Sequence, residues 1–206
     1  MKPKYLLFSV SCGLALTIGI AAYTNGNVNK YPNQQQVRLS SAKLQVYNFE
    51  EAVKNSDLII KVEIGKKVRE LIEPSAKTLF QATIIDEWKG DPLLESKEIN
   101  ILQQGNSQLT FNDNDLFVER DRYVLFLKKA VTVSEPNTYW ILGEETGIYK
   151  DDSSGKLVKQ SLYDKQLEDI EDKILTANLQ KKNRKEVQVI DEQLLKEKIM
   201  ASNEGL

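Results

Sequence analysis

The chain has 206 residues, 41% of them hydrophobic, with 28 Lys+Arg against 30 Asp+Glu and a net charge of −2. That length holds one ordinary domain plus an extension, and the balanced charge lacks the basic footprint of a nucleic-acid binder. No histidine and a single cysteine exclude a His-based catalytic triad, a His–Cys zinc site and a disulfide within one chain.

The first residues read as an export signal or an uncleaved membrane anchor. Lys2 and Lys4 precede an uncharged run from Tyr5 to Tyr23, close to the ~20 residues a membrane helix needs. Gly19-Ile20-Ala21 offers small residues for cleavage after Ala21. Cys12 raises lipid attachment as a further option. Ser9, however, stands where a lipobox carries Leu, and the apolar run continues well past Cys12, so this cysteine reads as part of the apolar segment. Cleavage would leave a mature chain with neither cysteine nor histidine, which suits an exported protein from a Gram-positive bacterium. The expected organisation is a signal or anchor over residues 1–23, a polar Asn/Gln-rich spacer over 24–41, a β domain over 42–158 and an amphipathic helical extension over 159–206.

Within the domain, the sequence predicts a short helix over Phe49–Asn55, with Asn48 as N-cap and Glu50 and Glu51 in the first turn. Leu58, Ile60, Val62 and Ile64 alternate as in a strand, followed by a second strand ending in the turn Lys89-Gly90-Asp91-Pro92. Glu98–Gln104 supplies a third, and Arg122–Lys129 a fourth that is apolar on both faces. The fifth runs from Thr138 to Tyr149, and Asp151–Gly155 then forms a hairpin turn. Five strands in so short a stretch predict a small twisted sheet closed into a barrel, mainly β, preceded by a short helix. Beyond it, Tyr163, Leu167, Ile170, Ile174 and Ala177, then Val187, Ile190 and Leu194, predict two amphipathic helices broken near Lys181-Lys182-Asn183.

Ser56-Asp57-Leu58-Ile59-Ile60, Trp88-Lys89-Gly90, Tyr123-Val124-Leu125-Phe126-Leu127, and Gly143 with Gly147 follow one another in an order that resembles exported bacterial proteins with an OB-like, netrin/TIMP-like barrel. The likeness spans about Phe49 to Leu157 and implies a fold. The metalloproteinase inhibitors of that fold present an N-terminal cysteine to their target's metal. No cysteine stands at the start of this domain, so the inhibitory motif does not carry over.

The densest acidic stretch gives the metal-ligand candidates Asp113, Asp115, Glu119 and Asp121, oxygen donors of the kind Ca²⁺ takes. The EF-hand pattern fails, because Val118 and Val124 fall where Gly and Glu belong, and a polar turn is the plainer reading. Glu144 and Glu145 are adjacent, so along a strand they point to opposite faces and read as a solvated strand end. Gln103–Gln108 reads as a polar loop whose Ser107 has no histidine to activate it. Trp88 and Trp140 fit either core packing or a ligand-binding face.

No catalytic residue and no cofactor is assigned. The leading expectation is an extracytoplasmic, non-enzymatic binding module, secreted or held at the membrane by its N-terminal segment, whose partner is an envelope or secreted protein. The alternatives are a carboxylate-based, metal-assisted hydrolase and a structural protein assembling through its C-terminal helices.

Overall fold

The computed structural model describes residues 38–40 (backbone only), 45–72, 75–90, 97–111, 114–131, 133–160, 162–183 and 186–204. The expected signal or anchor and most of the spacer lie outside the described residues. Among those described, no helix is long and apolar enough to cross a membrane.

In chain order the elements are β1 (Arg38–Ser40), α1 (Phe49–Asn55), β2 (Leu58–Leu71), β3 (Lys77–Lys89), β4 (Glu98–Gln104), β5 (Leu109–Phe111), β6 (Arg122–Lys129), β7 (Thr138–Ile141), β8 (Ile148–Asp151), β9 (Lys156–Lys159), α2 (Lys173–Asn183), β10 (Gln188–Asp191) and α3 (Glu192–Glu204). Two 3₁₀ segments, Glu144–Gly147 and Lys165–Ile170, complete the set. The fold is mainly β, with a short helix before a closed five-stranded barrel and helices after it. Around the barrel the order is β2-β3-β4-β7-β6, closing on β2. Every barrel pairing is antiparallel except that of β4 with β7, which is parallel. That is the ring of an OB-like fold. Register shifts along the β2–β3 hairpin bend the long strands, as closing so small a ring requires.

Strand alternation places Leu58, Ile60, Val62 and Ile64 inside the barrel with Phe80, Ile101, Leu125, Leu127 and Ile141. The opposite faces of β2 and β6 are also covered. Ile59, Val124 and Phe126 pack into a second core with Phe49 and Val53 of α1, Trp88, Tyr149, Leu157, Ile190, Leu195 and Ile199. The expectation that β6 is buried on both faces therefore holds, and its cover is α1 together with the C-terminal elements. α1 itself starts as expected. Asn48 caps it, and Glu51 reaches back to the Asn48 N–H to complete a capping box.

Three elements differ from the sequence reading. The single fifth strand is two. β7 pairs with the Leu127–Lys129 half of β6, and β8 pairs with the Tyr123–Leu125 half of the same edge. The residues between them leave the ladder through the 3₁₀ turn, entered by Gly143 and Glu144 at φ 64° and 47°. The C-terminal stretch keeps two helices, but Val187 is buried just ahead of a strand and Ile190 lies on it, β10, which pairs antiparallel with β9. Leu167 is buried in a 3₁₀ segment while Ile174 on α2 is exposed. A 3–4 spacing sampled over so few residues fits a turn and a short strand as well as a helix. Finally, Arg38–Ser40, expected within the spacer, pairs in parallel with β5.

Candidate functional site

Two sets of polar residues are brought together by this fold, and they have different characters. The first is a clasp at the end of α1. A helix C-terminus leaves carbonyls without partners. Here the Lys89 ammonium donates to the carbonyls of Val53 (2.6 Å) and Lys54 (3.4 Å), and Lys128 donates to that of Asn55 (3.0 Å). Lys128 also pairs with Asp57 at 2.7 Å, and the second Asp57 oxygen accepts from the Lys129 N–H. Burial opposes the Asp57 charge, but Lys128 and that N–H outweigh it and hold the carboxyl below its ordinary value. Gly90 follows at a point where a Cβ would run into the Leu58 side chain. Ser56-Asp57 and Lys89-Gly90 thus meet in one structural joint.

The second set lines a partly open cavity of about 150 Å³ on the other side of β6. Its floor is Phe117 and Tyr123, with ring centroids 4.7 Å apart, and Phe80 packs edge-on beneath Phe117. Leu116, Val118 and Ile148 form the apolar wall, and Asn114, Asp115, Lys150 and Gln160 the polar rim. The wall is held by Gln103. Its Nε2 donates to the Asp115 carbonyl (3.0 Å) and its Oε1 accepts from the Phe117 N–H (2.9 Å). Gln103 is fully buried near the end of β4, the expected third strand, and only the rest of the Gln103–Gln108 stretch leaves it as a loop beyond Gln104. Asp121 bridges the rim, accepting from Lys150 at 2.7 Å and from the Tyr123 hydroxyl at 3.3 Å. The Lys150 ammonium lies over the Tyr123 ring. Burial, then the negative charges of Asp121 and Asp115, push the Tyr123 hydroxyl well above its ordinary pKa.

Of the acidic candidates, Asp115 lines this cavity, and Asp121 holds two of its lining side chains, Lys150 and Tyr123. Glu119 is exposed in the turn between them, and Asp113 lies outside the described residues. Among the described residues, no three His, Cys, Asp or Glu side chains converge as a metal-ligand set. Gln103 and Lys150 escaped the sequence reading. A Gln on the inward phase of a strand, two places after Ile101, was the available signal, because a polar group there must find partners.

Glu144 corrects the expectation of a solvated strand end. It is only 6% exposed. Its carboxylate faces the Gln104 N–H, with Lys77 and Glu145 as charged neighbours, and its Oε2 atom has no hydrogen-bond partner among the described residues. Burial raises its pKa to about 8. Lys159 is also buried, donating to the Leu162 carbonyl at 2.6 Å, and burial lowers its pKa to about 8 against the pull of Asp164, Glu186 and Glu145. Trp88 is buried in the outer core, whereas Trp140 is half-exposed on β7. Ser107 donates to Glu70, which is in turn paired with Lys67.

No family model matches the chain, and no curated protein matches it.

Proposed function

We propose that this chain is an extracytoplasmic binding module, non-enzymatic, exported or tethered through its N-terminal apolar segment, and that its partner is an envelope or secreted protein. The cavity beside the Asn114–Val118 segment carries this reading. Its ~150 Å³ falls below the roughly 300–1,000 Å³ that small-molecule sites enclose. Its size suits one protruding side chain of a macromolecule. At its rim Lys150 is tied to Asp121, which also holds the Tyr123 hydroxyl, and Asp115 is left as an exposed carboxylate able to meet a partner's cation.

Two further features support the reading. The likeness to exported proteins with OB-like barrels is one of strands and turns, so it speaks to architecture. Leu195 and Ile199 of α3 are spent on the outer core, which leaves Leu194 and Met200 as a narrow exposed apolar face for self-assembly through that helix.

The test is affinity capture with the full-length chain from envelope and culture extracts of a Gram-positive host, read by mass spectrometry. A reproducible, saturable protein partner is the expected result. An empty capture from both extracts contradicts the proposal.

A further inference from the structure

The Asn114–Val118 segment has the hydrogen-bond pattern of a strand with one edge filled by a side chain and the other open at Leu116, between the Asn114 N–H, which donates to the Phe111 carbonyl, and the Val118 carbonyl, which accepts from the Asp121 N–H. In a parallel ladder, a residue donates to one carbonyl and accepts from the N–H two places on, bracketing the residue between. The Gln103 side-chain amide does this to the Asp115 carbonyl and the Phe117 N–H, bracketing Leu116. A buried side chain thus stands in for a neighbouring strand. Backbone groups alternate in direction along an extended segment, so the N–H and C=O of Leu116 face away from Gln103. Neither makes a backbone hydrogen bond among the described residues. Just upstream, the same stretch of chain already takes an added strand, because β5 pairs with β1 in parallel from Arg38↔Leu109 to Ser40↔Phe111.

The cavity opens beside this free edge. A space of 150 Å³ accepts one benzene-sized group, and Phe117, Tyr123 and Ile148 give it an apolar floor. Val118 stands 59% exposed at its mouth. At its rim Lys150 is neutralised by Asp121, while Asp115 is exposed and forms no ion pair among the described residues. Side chains alternate along an extended segment, so Asp115 shares a face with Phe117. An incoming strand that seats a side chain over Phe117 places the residue two positions away against Asp115.

We infer that this edge docks an extended segment of the partner protein, which adds as a strand along Asp115–Val118, buries one aromatic side chain in the cavity, and sets a Lys or Arg two places from it against Asp115. Strand addition supplies main-chain hydrogen bonds, the cavity supplies selectivity for the anchor, and the acidic rim selects the flanking charge. The inference rests on the binding-module reading and specifies its partner's chemistry.

The test uses the full-length chain in phosphatidylcholine nanodiscs and a blocked, fluorescent pentapeptide, Arg-Thr-Phe-Thr-Arg. Binding is read by anisotropy, and site by amide hydrogen exchange. The expected result is saturable binding with slowed exchange at Leu116 and Val118. Replacing Phe by Ala, or both Arg by Glu, weakens binding by about tenfold or more. Asp115→Lys, an exposed change, weakens the Arg peptide by a similar factor with an unchanged melting temperature. No saturable binding at millimolar peptide, equal affinity for the Ala peptide, or protection confined to another surface overturns the inference. A captured partner whose affinity is indifferent to Asp115→Lys also overturns this site while leaving the binding module standing. An empty capture removes the module itself.

Discussion

The seam between the barrel and its outer layer differs from the cavity edge in how each treats polar groups. On the seam, charges leave water only with partners. Lys61 is nearly buried between Asp151 (2.8 Å) and Glu192 (2.7 Å), and although burial opposes its charge, those two carboxylates raise its pKa. Lys89 and Lys128 satisfy the end of α1. Lys156 reaches Asp191, and Lys196 reaches Asp86. At the cavity edge, one side of an extended segment is satisfied by Gln103, and the other is open at Leu116 among the described residues, beside the exposed Asp115 carboxylate. Closed polar networks hold a fold together, and incomplete ones at a surface are where a partner is recognised.

The largest expected effect breaks the seam. Lys61→Ala strands the Asp151 carboxylate, which is 5% exposed, without its counter-charge. Removing one member of a buried pair costs about 3–5 kcal/mol, so denaturant unfolding should show a loss in that range, with binding at the cavity unaffected in the folded fraction.

The seam's exception is Glu144, at the point where the chain passes from barrel to outer layer. Its pKa is about 8 in the folded protein against an ordinary 4.5. The unfolded chain releases this proton above pH 4.5, and the folded chain keeps it until about pH 8. Stability from this group therefore falls as pH rises across that window. At pH 7 the penalty is roughly 3 kcal/mol at ~1.4 kcal/mol per pKa unit. Glu144→Gln should stabilise the protein by up to that amount at pH 7 and flatten the slope between pH 5 and 8. Lys159 works in the opposite sense. Its folded value of about 8 lies below the ordinary 10.5, so its contribution rises as pH passes from 8 to 10.5. The wild-type stability curve should dip near pH 8, and Lys159→Met should remove the alkaline recovery. Unfolding free energy measured across pH 5–10 checks both.

A smaller effect is expected at Gly90→Ala. The added methyl meets Leu58 in the inner core, and overpacking of this kind costs about 1–3 kcal/mol. Asp57→Asn is milder still. The Asp57–Lys128 pair is about two-fifths exposed on each side, and screening limits such pairs to roughly 1 kcal/mol or less. At the cavity edge, Asp115→Lys should change stability by less than about 0.5 kcal/mol.

Much of the fold was legible in the sequence where one local signal sufficed. The Asn48 cap fixed the start of α1, and the two-residue period of Leu58–Ile64 and Tyr123–Leu127 marked strands and their faces. The break between β7 and β8 was hidden, because it depends on Glu144 taking a left-handed backbone beside Gly143, which composition does not announce. β10 was hidden as well. Val187 and Ile190 are three apart, which fits a helix, and only pairing with the distant β9 makes a strand of them. At the candidate site, Asp115 and Asp121 were visible as acids. The use the fold makes of them came from Gln103 and Lys150, brought there by separate strands.

The most direct measurement compares one variant from each region on the same binding curve. Affinity of the full-length chain for the captured envelope partner is measured for wild type, Asp115→Lys and Asp57→Asn, alongside their melting temperatures. Asp115→Lys should lose about tenfold or more in affinity and keep its melting temperature. Asp57→Asn should melt lower and bind as wild type. The reverse pattern, with the α1 clasp governing affinity and the cavity edge indifferent, would contradict the division of labour between the two regions.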